Sequence, residues 1–121
     1  MELIGKAQLL KLKKKNIGNK DLGKAIDILI KDIKDAKWKN KQDVLKARPD
    51  ADCVHNDGFF FLNLNVHRTM LLIAFQTEVN DNKEIGEVDV VWIGTHDDYE
   101  QHFKNNKRTI EKWLRSHGHI E

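Results

Sequence analysis

One cysteine and one proline stand in 121 residues, and each scarcity excludes something. Cys53 has no partner within the chain, so no internal disulfide staples the fold and no zinc module of paired cysteines can form. A reducing cytoplasm is the simplest compartment to expect, with Cys53 as a half-buried strand residue. No apolar run approaches the ~20 residues a membrane helix requires. The opening MELIGKAQLL lacks both the apolar length and the small-residue cleavage site of a signal peptide. The seven glycines form no phosphate-cradling loop or nucleophile elbow. Six histidines include the pair His117 and His119, but these tail residues are expected to be solvated. Neither a metal nor a cofactor is implied.

What is present suits one domain spanning residues 1–121. Hydrophobic residues at 40% and charged residues at 33% describe an ordinary globular chain, long enough for one core. The net charge of +2 hides a segregation. From Met1 to Arg48 there are 14 Lys/Arg against 6 acids, whereas from Pro49 to Phe103 only Arg68 and Lys83 oppose 11 acids. Five bases and two acids follow from Lys104. A basic outer layer over an acidic sheet region suits a polyanion or an acidic protein partner.

Along the chain, Glu2–Ile4 fits a very short edge strand and Lys6–Lys15 a helix. Residues 20 to about 37 form a clearer amphipathic helix, with Leu22, Ala25, Ile26, Leu29, Ile30 and Ile33 at helical spacing. Trp38 is expected to close the core at its end. Asn40 with Asp43 caps a short helix that Pro49 stops. From Ala51 the pattern turns to β. Asn56-Asp57-Gly58 signals a turn, and Phe59–Leu64 follows as a strand with one exposed phenylalanine ring. A polar break over Asn65–Arg68 and a strand over Met70–Phe75 come next. Glu78–Glu87 reads as a polar loop and Val88–Ile93 as the last strand. Gly94 is expected to break that strand, and Thr95 to cap one helix running from Asp97 to about His117. Gly118 lies just past its end. The order gives an α+β domain: N-terminal helices packed on one face of a three- to four-stranded antiparallel sheet, with a C-terminal helix.

Val88–Glu100, VDVVWIGTHDDYE, is the stretch around which the rest is organised. Its IGTHDDYE resembles the closing strand-to-helix motif of the HigB-type toxins, ribonuclease partners in type II toxin–antitoxin pairs with a RelE-like fold. IKDAKWKNKQDVLKARPDA is similar to that family's segment from the second helix through a Trp to the short helix before the sheet. FLNLNVHRTMLLIAF resembles its hairpin. The likeness covers nearly the whole chain except Phe103–Glu121.

The resemblance implies cleavage of messenger RNA, usually on the ribosome. It also implies neutralisation by a helix-turn-helix antitoxin of HigA type, with operator DNA met only through that antitoxin. Metal-free cleavage needs a base, a proton donor and cations on the pentavalent phosphate. His96, whose unperturbed pKa is near working pH, is the candidate acid or base; a plain helix-start histidine is the alternative. Tyr99, one helical turn on, is a hydrogen-bond donor, a base-stacking ring or a core aromatic. Arg68 occupies the family's basic position on the hairpin, at the turn before the Met70 strand, and His67 beside it is a possible assistant. Thr69 and Met70 depart from the family pattern, which has an aromatic and a second basic residue there. Lys107 or Arg108 is a candidate to supply the missing contact. Lys11, Lys13, Lys14, Lys15 and Lys20, without interleaved aromatics, fit the backbone charge of ribosomal RNA. The competing reading is a catalytically silent module that keeps the fold and binds RNA or the antitoxin.

Overall fold

The computed structural model describes residues 1–79 and 82–121 of the protein. Among these the order is β1 (Glu2–Ile4), α1 (Lys6–Lys15), α2 (Lys20–Asp35), α3 (Lys41–Ala47), β2 (Asp52–His55), β3 (Phe59–Leu64) and β4 (His67–Ala74). Then follow β5 (Thr77–Val79), β6 (Asn82–Glu84), β7 (Glu87–Thr95), α4 (His96–Phe103) and α5 (Lys107–Ser116).

The main sheet has five strands in the order β1-β7-β4-β3-β2, not three or four. It is also mixed. β2, β3, β4 and β7 pair antiparallel in turn, while β1 lies parallel to β7, with Leu3 opposite Val88. β5 and β6 pair separately within the segment expected to be a loop; positions 80 and 81 of that segment lie outside the described residues.

Helices cover both faces rather than one. In β3, alternate residues point to opposite sides. Phe60, Leu62 and Leu64 meet Leu9 of α1 and Leu22, Ile26, Leu29 and Ile33 of α2. Phe59 and Phe61 meet Tyr99 and Phe103 of α4 and Ile110 and Leu114 of α5. All three phenylalanines are therefore buried, and the expected exposed ring is absent. Trp38 joins the first core, as its position after α2 suggested.

The polar break before β4 is shorter than expected. Leu64 pairs directly with His67 around Asn65 and Val66, and Asn65 takes φ +58. His67 and Arg68 thus lie in the strand, not in a turn. Gly94 does not break β7 either. It pairs with Arg68, and Thr95 with His67, because β4 starts early enough to supply partners. The glycine serves packing: a Cβ there would stand 2.5 Å from the Trp92 ring.

The C-terminal helix is two helices. Lys104 (φ 53) and Asn105 (φ 46) turn the chain in the left-handed region, and Asn106 accepts from the backbone N–H groups of Arg108 and Thr109 to start α5. Elsewhere the expected cap at Asn40 is present, accepting from Asp43 N, and Asn19 adds a further cap by accepting from Leu22 N. A half-buried polar knot ties α2, the loop after α3 and β3 together. Arg48 grips Asp50 with Nε and Nη2, both at 2.9 Å, and reaches Asp32 at 3.2 Å. Asp50 in turn accepts from Asn63 N at 3.0 Å.

Candidate functional site

The ends of β4 and β7 and the start of α4 gather three of the four candidate residues, and Tyr99 follows one turn into the helix. Thr95 receives Asp98 N with its side chain, and Asp98 answers on Thr95 N, a reciprocal cap. These hydrogen bonds hold the Asp98 carboxyl below its ordinary pKa. His96 is exposed at this junction. Its N–H donates to Val66 O, and its ring Nε2 lies 3.3 Å from Asn65 O. A carbonyl only accepts, so in the neutral ring this contact puts the proton on Nε2 and leaves the lone pair on Nδ1. Asn65 itself is tied to the α1–α2 turn by Asn19 Nδ2 at 3.2 Å. The turn with Lys15 and Lys20 on its flanks is thereby joined to the turn that holds His96.

His67 and Arg68, being successive strand residues, face opposite sides of the sheet. His67 is only 9% exposed and its Nδ1 is buried without a partner. Burial lowers its pKa; Asp98 works against that and His96 with it, which places all three within electrostatic reach. Arg68 shares its face with Phe61 and Tyr99. Its guanidinium lies 4.4 Å from the Tyr99 ring centroid and 5.3 Å from that of Phe61, and its Nε is buried without a partner.

Tyr99 is only 3% exposed and belongs to the second core, edge-on to Phe61 at 4.9 Å. No ring face is left for a nucleic-acid base. Its hydroxyl donates to Asn105 Oδ1 at 2.9 Å. Burial raises the phenol's pKa, and the nearby Arg68 charge opposes the rise. Thr69 and Met70 are fully buried, with Thr69 Oγ1 donating to Trp92 O. A second basic side chain at position 70 would enter the core rather than reach a phosphate.

The lysines divide. Lys11, Lys14, Lys15 and Lys20 are exposed. Lys13 is spent on an ion pair with Asp27 at 2.9 Å, at the edge of a groove of about 270 Å³ between α1 and α2. Lys107 lines a cavity with Lys41, Cys53, His55 and Glu111, at the Phe59 end of β3. Arg68 pairs with Asn63 near the other end, so Lys107 stands apart from it. Arg108 is exposed in the same first turn of α5. Among the described residues no group of three His, Cys, Asp or Glu is arranged to hold a metal ion, and no helix is long and apolar enough to cross a membrane.

Asn19, Asn65 and Asn105 went unread in the sequence. The only signal was asparagine's tolerance of left-handed backbone, which Asn65 and Asn105 both use.

The family model described as HigB_toxin, RelE-like toxic component of a toxin-antitoxin system, matches residues 23–102. No curated protein matches the chain.

Proposed function

We propose that this chain, which belongs to the HigB family of RelE-like toxins, is an endoribonuclease that cleaves messenger RNA on the ribosome. A toxin of a toxin–antitoxin system has an antitoxin partner; here we propose a helix-turn-helix protein of HigA type. Operator DNA would then be met only through that partner, and the site of action would be the cytoplasm.

The observation that supports the reading is that a cation and an imidazole come from nearby backbone positions at one sheet end. Arg68 opposite Gly94, and His96 two residues later, bring a permanent positive charge and a free imidazole lone pair to neighbouring positions. In the proposed reaction Nδ1 of His96 takes the 2′-OH proton as that oxygen attacks the adjacent phosphorus. Arg68 meets the charge growing on the phosphate oxygens. The P–O5′ bond breaks, leaving a 2′,3′-cyclic phosphate and a 5′-hydroxyl. Burial lowers the pKa of His67 and so works against its serving as the proton donor. The leaving 5′-oxygen takes its proton from water, and the hydroxide so formed recovers the proton held on His96. No metal or cofactor takes part. Tyr99 contributes as the ring beneath Arg68. Lys11, Lys14, Lys15 and Lys20 supply backbone contacts to ribosomal RNA, with Arg108 an outlying one; Lys13 and Lys107 are less available.

The test is induced expression in bacteria without the antitoxin gene, with mapping of mRNA 5′ ends. Growth arrest with new ends, both abolished by His96→Ala or Arg68→Ala, is the expected result. Arrest without cleavage would point to another target. Burial of Thr69 and Met70 favours one second reading, a silent module that binds RNA or the antitoxin. Abundant folded protein without arrest would select it.

A further inference from the structure

Arg68 is held in an unusual way. Its Nε is buried without a hydrogen-bond partner, and the guanidinium rests on the faces of two aromatic rings, Tyr99 being the nearer at 4.4 Å. Where a cation is positioned by a ring, whatever fixes the ring fixes the cation. Phe61 and Phe103 pack against the Tyr99 ring, and at its far end the hydroxyl donates to Asn105 Oδ1 at 2.9 Å. Asn105 lies beyond the end of α4, and with Lys104 it forms a left-handed pair that folds the chain back before α5 begins. Asparagine meets two demands there at once: it tolerates a positive φ, and it carries an acceptor.

We infer that Asn105 is a positioning residue for Arg68, acting through the Tyr99 hydroxyl and ring. The inference rests on the ribonuclease reading for its effect on turnover, though not for its effect on Arg68 itself. The interhelix junction thereby acquires a role in transition-state binding, although it touches no substrate. A cation displaced by a fraction of an ångström still binds the ground-state phosphate through its charge. It serves the pentavalent transition state less well, so kcat falls more than KM rises.

The experiment uses the full-length protein and compares Asn105→Gly, Tyr99→Phe, the double variant and Asn105→Asp. Glycine keeps the left-handed backbone while removing the acceptor with the rest of the side chain; aspartate keeps the acceptor. Cleavage of a ribosome-bound mRNA gives kcat and KM, and the NMR signal of the Arg68 Nε–H, with its exchange rate, reports the order of the guanidinium. We expect each single deletion to lower kcat about tenfold with KM little changed, and the double variant to be no worse than either. Asn105→Asp should restore most of kcat. Arg68 Nε–H exchange should quicken in both deletions. Wild-type kcat in folded Asn105→Gly would overturn the inference, as would losses that multiply in the double variant. A wild-type protein that cleaves nothing would remove the ribonuclease reading. In that case the Nε–H exchange still decides: quickened in the deletions it supports the positioning, and unchanged it overturns it.

Discussion

At position 94 a side chain has nowhere to go. A methyl group on Gly94 would stand 2.5 and 2.6 Å from two carbons of the Trp92 ring, and 3.1 Å from Asp98 Cβ. Trp92 in turn packs edge-on against Phe61 and Phe103, which leaves it little room to retreat. Gly94→Ala is expected to cost roughly 1–3 kcal/mol by overpacking, seen as a lower urea midpoint with an unchanged m-value. A midpoint equal to the parent's would show that the ring can move aside. His96 and Tyr99 were legible as a pair because a Thr cap, an acidic third residue and helical spacing fix their places locally. Arg68 is legible as a lone cation in an acidic region, but its place in a strand is not, because a run of polar residues ordinarily marks a turn. The Asn65–Val66 turn is so tight that two polar residues fall inside the strand. Asn65 and Asn105 were illegible for another reason: each acts on a side chain 31 or 6 residues away, through a backbone conformation that nothing in their own neighbourhood declares.

Between elements, the Arg48 knot has the greatest leverage. Its guanidinium side chain is 13% exposed and joins α2 through Asp32, the loop after α3 through Asp50 and β3 through Asn63 O. Burial alone would raise the Asp50 pKa, but the bonds from Arg48 and Asn63 N outweigh it and leave the carboxyl below its ordinary value. A carboxylate with a depressed folded pKa stabilises fully above its unfolded value of about 4, and that contribution is lost as pH falls through the folded value. Arg48→Ala is therefore expected to cost about 2 kcal/mol at neutral pH. The gap from the parent should begin to narrow below about pH 4 and close only once pH has fallen past the lower folded pKa of Asp50. Denaturant titrations at pH 7 and pH 3 check both statements; a gap unchanged at low pH would mean that lost packing, not charge, sets the cost. The helices before Pro49 were legible because caps, apolar period and breaker agree within single segments. The C-terminal segment has the apolar period of a single helix, although two left-handed residues split it. Glu2–Ile4 is legible as a very short edge strand, but three residues do not declare which neighbour they pair with, so the parallel pairing with β7 and the five-strand total are not legible.

Over the whole molecule, charge follows the layers. The exposed lysines Lys11, Lys14, Lys15 and Lys20 lie on the α1–α2 side, and the Asn19–Asn65 bond connects that side to the turn carrying His96. If this face contacts RNA phosphates, changing the four to Gln should weaken binding without regard to sequence. The dependence of log affinity on log salt should flatten by about 0.7 for each contact removed. Lys13→Gln is the internal comparison: already paired with Asp27, it should leave the slope almost unchanged. Binding measured over a series of salt concentrations distinguishes this from the case in which all five lysines merely solvate the helices, where no slope changes. The charge plan was legible from composition along the chain; the loss of one lysine to an ion pair was not, since it depends on two helices meeting.

The parallel pairing of β1 with β7 has a consequence in time. Leu3 and Val88 are about 85 residues apart in the chain and adjacent in the sheet. In vectorial synthesis at about 5–20 residues per second, the first strand waits several seconds for its neighbour. Contacts of such long sequence separation are the slow ones to form, because the loop between them must close before they return any free energy. α1 and α2 therefore leave the ribosome ahead of β7, the strand that leads into the His96 junction. The nascent chain carries its basic face well before it can assemble a site to use with it.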